Sequence, residues 1–173
     1  MNDHRTDRQS FSLASVTKEK DIVEVIRLAQ MIWREHYTAI IGEEQVSYML
    51  LHFQSKEVVK RQIEKDGYLY FLMKREGKDV GYLSLRFEEN SCFLSKIYIL
   101  KEHRQKGYAR AALSEIEKLC KKKTANTIWL TVNIHNEHSI TAYQKLGFLV
   151  KEKKCTDIGG GFFMDDYIME KIL

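Results

Sequence analysis

The chain has 173 residues, 44% of them hydrophobic and 11% aromatic, enough to core one domain, and no shift in composition marks a second. Its formal charge of +4 is concentrated: residues 101–123 hold eight Lys or Arg against three Glu, leaving the remainder close to neutral. No apolar stretch approaches the roughly 20 residues that a bilayer-spanning helix needs, and charge this local fits a small polyanion at one site better than nucleic acid.

Residues 1–11 are polar and read as a flexible N-terminal segment ahead of a single domain spanning 1–173. From Thr17, an N-cap, to Trp33, apolar side chains at Ile22, Val25, Ile26, Ala29, Ile32 and Trp33 predict a helix with one buried stripe. A second helix carries Val46, Met49, Leu50 and Phe53. A third, capped by Ser55, carries Val58, Val59 and Ile63 and is broken by Gly67. The period then changes to that of strands at 68–74, 80–86 and 92–100, separated by turns at 76–78 and 88–90, which predicts an antiparallel meander. A helix over 107–122 and a strand over 128–132 follow. Because a full helix separates strands 92–100 and 128–132, those two are expected to be parallel neighbours. A short helix over 136–146 precedes a closing antiparallel pair, 148–155 and 163–172. The chain contains no proline, so its turns fall to Gly, Asn, Asp and Ser. Cys92, Cys120 and Cys155 have neither metal-ligand spacing nor the density of a disulfide framework, which points to free thiols in a cytoplasmic protein with no metal.

The richest stretch is 97–110, where a β-branched run leads into a basic, glycine-punctuated turn that opens a helix. A helix so entered leaves its first N–H groups and the positive end of its dipole facing outward, beside Arg104, Lys106 and Arg110. Gly107 removes the Cβ that would hold a phosphate off the backbone, and Ala109 adds only a methyl. Two parallel strands, each followed by a helix, bring two helix starts to one crevice. The second helix starts at Asn136, which either caps it or bonds a ligand. Tyr143, two turns further on, either packs in the core or donates a proton.

Taken together, Arg104-x-x-Gly107-x-Ala109 with Asn136, Tyr143 and Gly147-Phe148 at this spacing resembles the GNAT superfamily of acetyl-CoA-dependent N-acetyltransferases over about residues 12–173. The segment 157–170, together with Trp33-Arg-Glu-His-Tyr37, is similar to the PaiA-like branch of polyamine N-acetyltransferases. The resemblance implies an α/β fold of the α+β kind. Its sheet would be mixed, mostly antiparallel and twisted, flanked by helices, with a central parallel strand pair splayed around the cofactor slot by a bulge. It implies that Ile97, Tyr98 and Ile99 offer backbone groups to the pantetheine arm. By the same carry-over, the amides of Arg104, Gln105, Lys106, Gly107, Tyr108, Ala109 and Arg110 hold the pyrophosphate. Asn136 then contacts acetyl-CoA, and Tyr143 is the acid at its sulfur.

Ala109 and Ser139 are tolerated departures from the family pattern. The larger departure is the run Cys92-Phe93-Leu94-Ser95, which lacks the glutamate that many relatives use as general base. That leaves either a water chain to Glu88, Glu89, Asp165 or Asp166, or an acceptor that arrives partly deprotonated. Asp165 and Asp166, at the start of the final strand, read either as a solvated turn or as the group that binds a polycationic small-molecule amine. The expected activity is direct transfer of an acetyl group from acetyl-CoA to a primary amine, by a monomer or homodimer, with neither nucleic acid nor membrane as partner. A non-catalytic acetyl-CoA sensor or scaffold, and an enzyme acting on protein N-termini or lysines, are the alternatives.

Overall fold

The computed structural model describes residues 11–173. Residues 1–10, which make up most of the segment expected to be flexible, lie outside the described residues. Phe11, the last residue of that segment, instead opens strand β1 (Phe11–Ser15). This strand was not foreseen: five residues alternating around Phe11 and Leu13 are too short a pattern, and only pairing with the next strand makes them one.

Helix α1 (Glu19–Ile41) is capped by Lys18 rather than Thr17. The Asp21 carboxylate accepts the N–H groups of Thr17 and Lys18 at 3.3 and 3.1 Å, so the capping oxygen comes from inside the first turn. The helix passes its expected end at Trp33 because Tyr37 and Ile41 extend the apolar stripe at intervals of four, and Gly42, at φ 84°, stops it. Helix α2 (Glu43–Phe53) follows at once. In α3 (Lys56–Glu64) the Ser55 hydroxyl accepts the Val58 N–H at 3.3 Å, as a cap should.

Strands β2 (Leu69–Arg75), β3 (Lys78–Phe87) and β4 (Ser91–Ile99) form the meander. They lead through a 3₁₀ turn (Lys101–His103) to α4 (Tyr108–Lys122) and β5 (Thr127–Asn133). Helix α5 (Glu137–Lys145) and the hairpin of β6 (Leu149–Gly159) and β7 (Phe162–Ile172) complete one seven-stranded sheet, ordered β1-β2-β3-β4-β5-β7-β6. It is antiparallel except between β4 and β5, as expected. Helices α1–α3 cover one face, burying Val25, Leu28, Trp33, Val46 and Leu50 with Tyr70, Leu72 and Tyr82. Helix α4 covers the other, with Leu113, Ile116 and Cys120 packed on Leu83, Leu85, Ile128 and Leu130.

Two irregularities shape the middle of the sheet. The parallel ladder holds only three pairs, Ser91 with Thr127, Cys92 with Ile128 and Phe93 with Trp129, after which β4 and β5 part. At the same place the β3–β4 register slips: Ser84 faces Lys96 while Leu85 faces Leu94, leaving Ser95 as a bulge. Gly81 is what lets β4 lie so close behind this bulge, since a Cβ there would stand 2.2 Å from the Tyr98 carbonyl oxygen.

Candidate active site

Beyond the last parallel pair the space between β4 and β5 is a cavity of about 210 Å³. Ser95, Lys96 and Tyr98 line one wall and Thr131, Val132 and Asn133 the other. Trp33, Tyr37 and Ile41 of α1, with Met49 and Phe53 of α2, form its roof, and Asp166 of β7 reaches in from the side. A broader, shallower depression of about 590 Å³ lies at the other end of the strands, around Asn126, Thr127 and Lys151, away from both helix starts. Ligands in such sheets sit at the carboxyl ends of parallel strands, so the smaller cavity is the candidate.

At its mouth stands the entrance to α4. Gln105 and Gly107 adopt left-handed backbone, φ 61° and 82°, which coils the turn back on itself. As a result none of the six backbone N–H groups of Gln105, Lys106, Gly107, Tyr108, Ala109 and Arg110 donates to an acceptor among the described residues. Unpaired donors at the positive pole of a 15-residue helix make an anion cradle, and no atom stands within 4 Å of where a Gly107 Cβ would be. A diphosphate fits this turn on its donor count and its open approach.

Arg104 differs from the other residues of the turn. Its backbone N–H donates to the Lys101 carbonyl at 3.2 Å, its Nε donates to the Ile99 carbonyl at 3.0 Å, and its Nη2 meets Glu35 of α1 at 2.6 Å. The residue expected to bind phosphate is therefore a strut between α1 and the turn, and it also occupies the Ile99 carbonyl expected to serve the pantetheine arm. Ile97 and Tyr98 lie past the end of the parallel ladder, so their β5-facing side has no strand partner. Lys106 and Arg110 stay exposed beside the cradle.

Asn136 is buried and caps α5, its Oδ1 accepting the Ser139 N–H at 3.3 Å, so the capping alternative describes its oxygen. Tyr143 stacks edge-on against Phe148 and lies within electrostatic reach of Tyr37 and Tyr98. Burial pushes its phenol well above the ordinary range, so the group holds its proton at neutral pH.

The acidic candidates separate. Glu88 is held at the β3–β4 turn by Arg86, Ser91 and the Trp129 Nε1, at the far end of β4, and cannot serve the cavity. Asp165 projects from the hairpin toward Lys153 at 3.3 Å. Asp166 is 8% exposed, and one of its carboxylate oxygens is buried with no partner among the described residues. Burial first, then the neighbouring Asp165, raises its carboxyl to about 6. Its backbone registers with Asn133, which is what turns the side chain into the cavity.

Sequence reasoning missed Lys96. Its Nζ is buried on the α1–α3 side, donating to the Tyr70 hydroxyl at 2.7 Å and lying 3.4 Å from Gln62 Oε1, and burial lowers it to about 7. The closing hairpin was expected, but its seating on α2, which shuts this side of the cavity, was not. The Tyr48 hydroxyl donates to the Ile158 carbonyl at 2.8 Å and Gln45 to the Phe163 carbonyl at 2.7 Å. Gly159 and Gly160 are forced to be glycine by positive φ and by the Tyr48 ring.

With the geometry in place, comparison with known proteins decides the family. The profile described as "Acetyltransferase (GNAT) family" matches residues 25–148, spanning the splayed pair, the anion cradle and Tyr143. The chain belongs to the GNAT family of acetyltransferases. Among curated relatives of this GNAT protein, the spermidine N(1)-acetyltransferase of Thermoplasma acidophilum is 28% identical over 156 residues, covering 88% of this chain and 91% of the relative. The crystal structure of the PaiA N-acetyltransferase from the same organism, in complex with coenzyme A, superposes with a TM-score of 0.80. It is 25% identical and covers 95% of this chain and all of that one. A Vibrio cholerae spermidine N-acetyltransferase chimera, 17% identical, shares the fold at a TM-score of 0.69 over 95% of this chain and 96% of its own.

Proposed function

We propose that this acetyltransferase moves the acetyl group of acetyl-CoA to a primary amine of a polyamine-like small molecule, by direct attack while both are bound. The observation that carries the reading is the run of six unpaired backbone N–H groups at the α4 entrance, set beside a cavity opened by the parting of β4 and β5. The first holds a diphosphate, and the second admits a chain long enough to place a thioester next to an amine. Two relatives named for spermidine acetylation, and a CoA-bound structure of the same fold, support the donor and the acceptor class.

Each group then has a task. The free edge of Ile97 and Tyr98 pairs with the amides of the donor's arm much as a strand would, and a backbone N–H of the bulged strand polarises the thioester carbonyl. Asp166 draws an ammonium into the cavity, and the aromatic roof of Trp33, Tyr37 and Phe53 packs on the methylenes between charges. Tyr143, protonated at neutral pH, supplies the proton that the departing thiolate needs. Holding two reactants in line accounts for much of the acceleration, roughly 7–11 kcal/mol where alignment is good. The three free cysteines suit the cytoplasm.

The test is thiol release from acetyl-CoA against a panel of spermidine, putrescine, a monoamine of equal length, an aminoglycoside and a lysine peptide. Turnover favouring the di- and triamines is expected. Turnover of the peptide alone would replace the acceptor class, and binding of CoA with no release for any amine would make the protein a sensor.

A further inference from the structure

The proposed reaction lacks one part, a group to take the proton of an acceptor that arrives as an ammonium ion. The acid expected on β4 is absent, yet the strand is not without a titratable group at the cavity. Tyr70, Ser84 and Lys96 stand opposite one another on β2, β3 and β4, so their side chains share one face of the sheet. Gln62 of α3 and Gln54 at the end of α2 close over them. The Tyr70 hydroxyl donates to Gln62 Oε1 at 2.5 Å, and Lys96 Nζ donates to Tyr70 at 2.7 Å. No carboxylate pairs with Lys96 among the described residues. Both amide atoms of Gln54 and the hydroxyl of Ser84 are fully buried with no hydrogen-bond partner among the described residues, although both residues approach the Tyr70 phenol. Buried polar groups ordinarily find partners, so three unused ones around the phenol that holds Lys96 mark a chamber with spare hydrogen-bonding capacity.

We propose that Lys96 is the proton acceptor of the acetyl transfer, taking a proton from the acceptor ammonium within the cavity it lines. This rests on the reading of the chain as an amine acetyltransferase. Neutral Lys96 gives two N–H groups to Tyr70 and Gln62 and keeps a lone pair for the cavity side. When the acceptor nitrogen loses its proton to that lone pair, its own lone pair forms the new bond to the thioester carbonyl carbon. The carbon–sulfur bond breaks, the thiolate takes the Tyr143 proton, and the Tyr143 phenolate takes the second proton, which the acylated nitrogen sheds as it becomes an amide. The ammonium formed at Lys96 keeps its bonds to Tyr70 and Gln62 and later returns its third proton, on the cavity side, to solvent. Burial supplies the chemistry, holding Lys96 near 7, so that the base is neutral just above neutral pH. The groups facing it are Tyr70 from β2, Tyr98 beside it on β4, Tyr37 from α1 and Asp166 from β7 across the cavity, and only Asp166 carries charge at neutral pH. Asp166 binds the ammonium; Lys96 discharges it.

The test pairs Lys96→Met, which keeps the buried stem, with two acceptors: spermidine, which is protonated in solution, and methoxyamine, which is already neutral. Wild-type kcat/KM for spermidine should rise with pH through about 7 and then level. In the variant it should fall about 100- to 1,000-fold and lose the limb near 7, keeping only the rise through about 6 that belongs to Asp166, while methoxyamine turnover stays within about threefold of wild type. Lys96→Arg, a permanent cation, should fail with spermidine alike. Independently of activity, carbon-13 NMR of labelled lysine should show Lys96 titrating near 7. An equal loss with both amines, an unchanged spermidine profile, a Lys96 that stays charged beyond pH 9, or acetylation of Lys96 itself would each overturn the assignment. A wild-type protein that acetylates neither amine would instead remove the transferase reading beneath it.

Discussion

Adding one methyl group at Gly81 should close the slot from behind. The new Cβ would stand 2.2 Å from the Tyr98 carbonyl oxygen and 3.0 Å from the Ile99 Cα, both backbone atoms that no rotamer change can move. Bringing the oxygen contact out to even 3.0 Å requires β4 to shift by about 0.8 Å. Such a shift strains the pairs of Gly81 with Ile99 and Tyr82 with Tyr98, and it pushes the free edge of Ile97 and Tyr98 toward β5. Overpacking of this kind costs roughly 1–3 kcal/mol and one weakened ladder bond about 1 more, so Gly81→Ala should lose about 2–4 kcal/mol. For a chain of this size that is about 5–15 °C in Tm, short of unfolding at room temperature. Urea denaturation measures the first effect and calorimetric titration with CoA the second, with affinity expected to fall at least tenfold. A variant within 0.5 kcal/mol of wild type that binds CoA equally would show that the bulged strand is not held by this contact and would refute the account of the slot.

Tyr143→Phe should reduce kcat about 100-fold or more and leave CoA affinity intact, which steady-state kinetics and titration read separately. Asp166→Asn should raise KM for spermidine far more than for a monoamine. The same change should make the protein more stable above pH 6. A carboxyl raised to about 6 contributes stability below its ordinary 3.8 and loses it as pH rises through 6, so removing the charge returns roughly 1–2 kcal/mol there, seen as a Tm gain at pH 7 that vanishes at pH 4. Gly160→Ala, strained at φ 62° and driven 2.7 Å from the Tyr48 ring, should lift the hairpin off α2 and weaken acceptor binding with little change in CoA affinity, checked by KM for each substrate.

What could be read from residue order was local. The α4 entrance announces itself in fourteen consecutive residues, and α5 and the meander follow from period and turn chemistry. The parallel pair follows from the length of the connection between its strands. What could not be read depends on register. A bulge in this strand is implied by the family resemblance, but nothing in Leu94-Ser95-Lys96 places it, because Ser95 is neither glycine nor proline; the position of the slip appears only when β3 is laid beside β4. Lys96 looks like an exposed strand residue until Tyr70, two strands away, and Gln62, 34 positions back, cover it. Arg104 looks like a phosphate ligand until Glu35, 69 residues earlier, claims it. Each case turns on a contact made by a distant element, and a single chain carries no local trace of it.

The brevity of the ladder joining β4 to β5 has a mechanical meaning. Three residue pairs are all that stitch the β1–β4 half of the sheet to the β5–β7 half along their common edge, and the gap beyond them is where the proposed function puts the donor's arm. A molecule lying in that gap acts as a missing rung, hydrogen-bonding to the strand on one side and packing on the other. Ligand and architecture are then one cooperative unit: at a hundredfold excess over Kd, occupancy adds about 2.7 kcal/mol of resistance to unfolding. Amide exchange along the seam between Leu94 and Ile99 should slow most when that rung is in place, so the substrate completes the scaffold that acts on it.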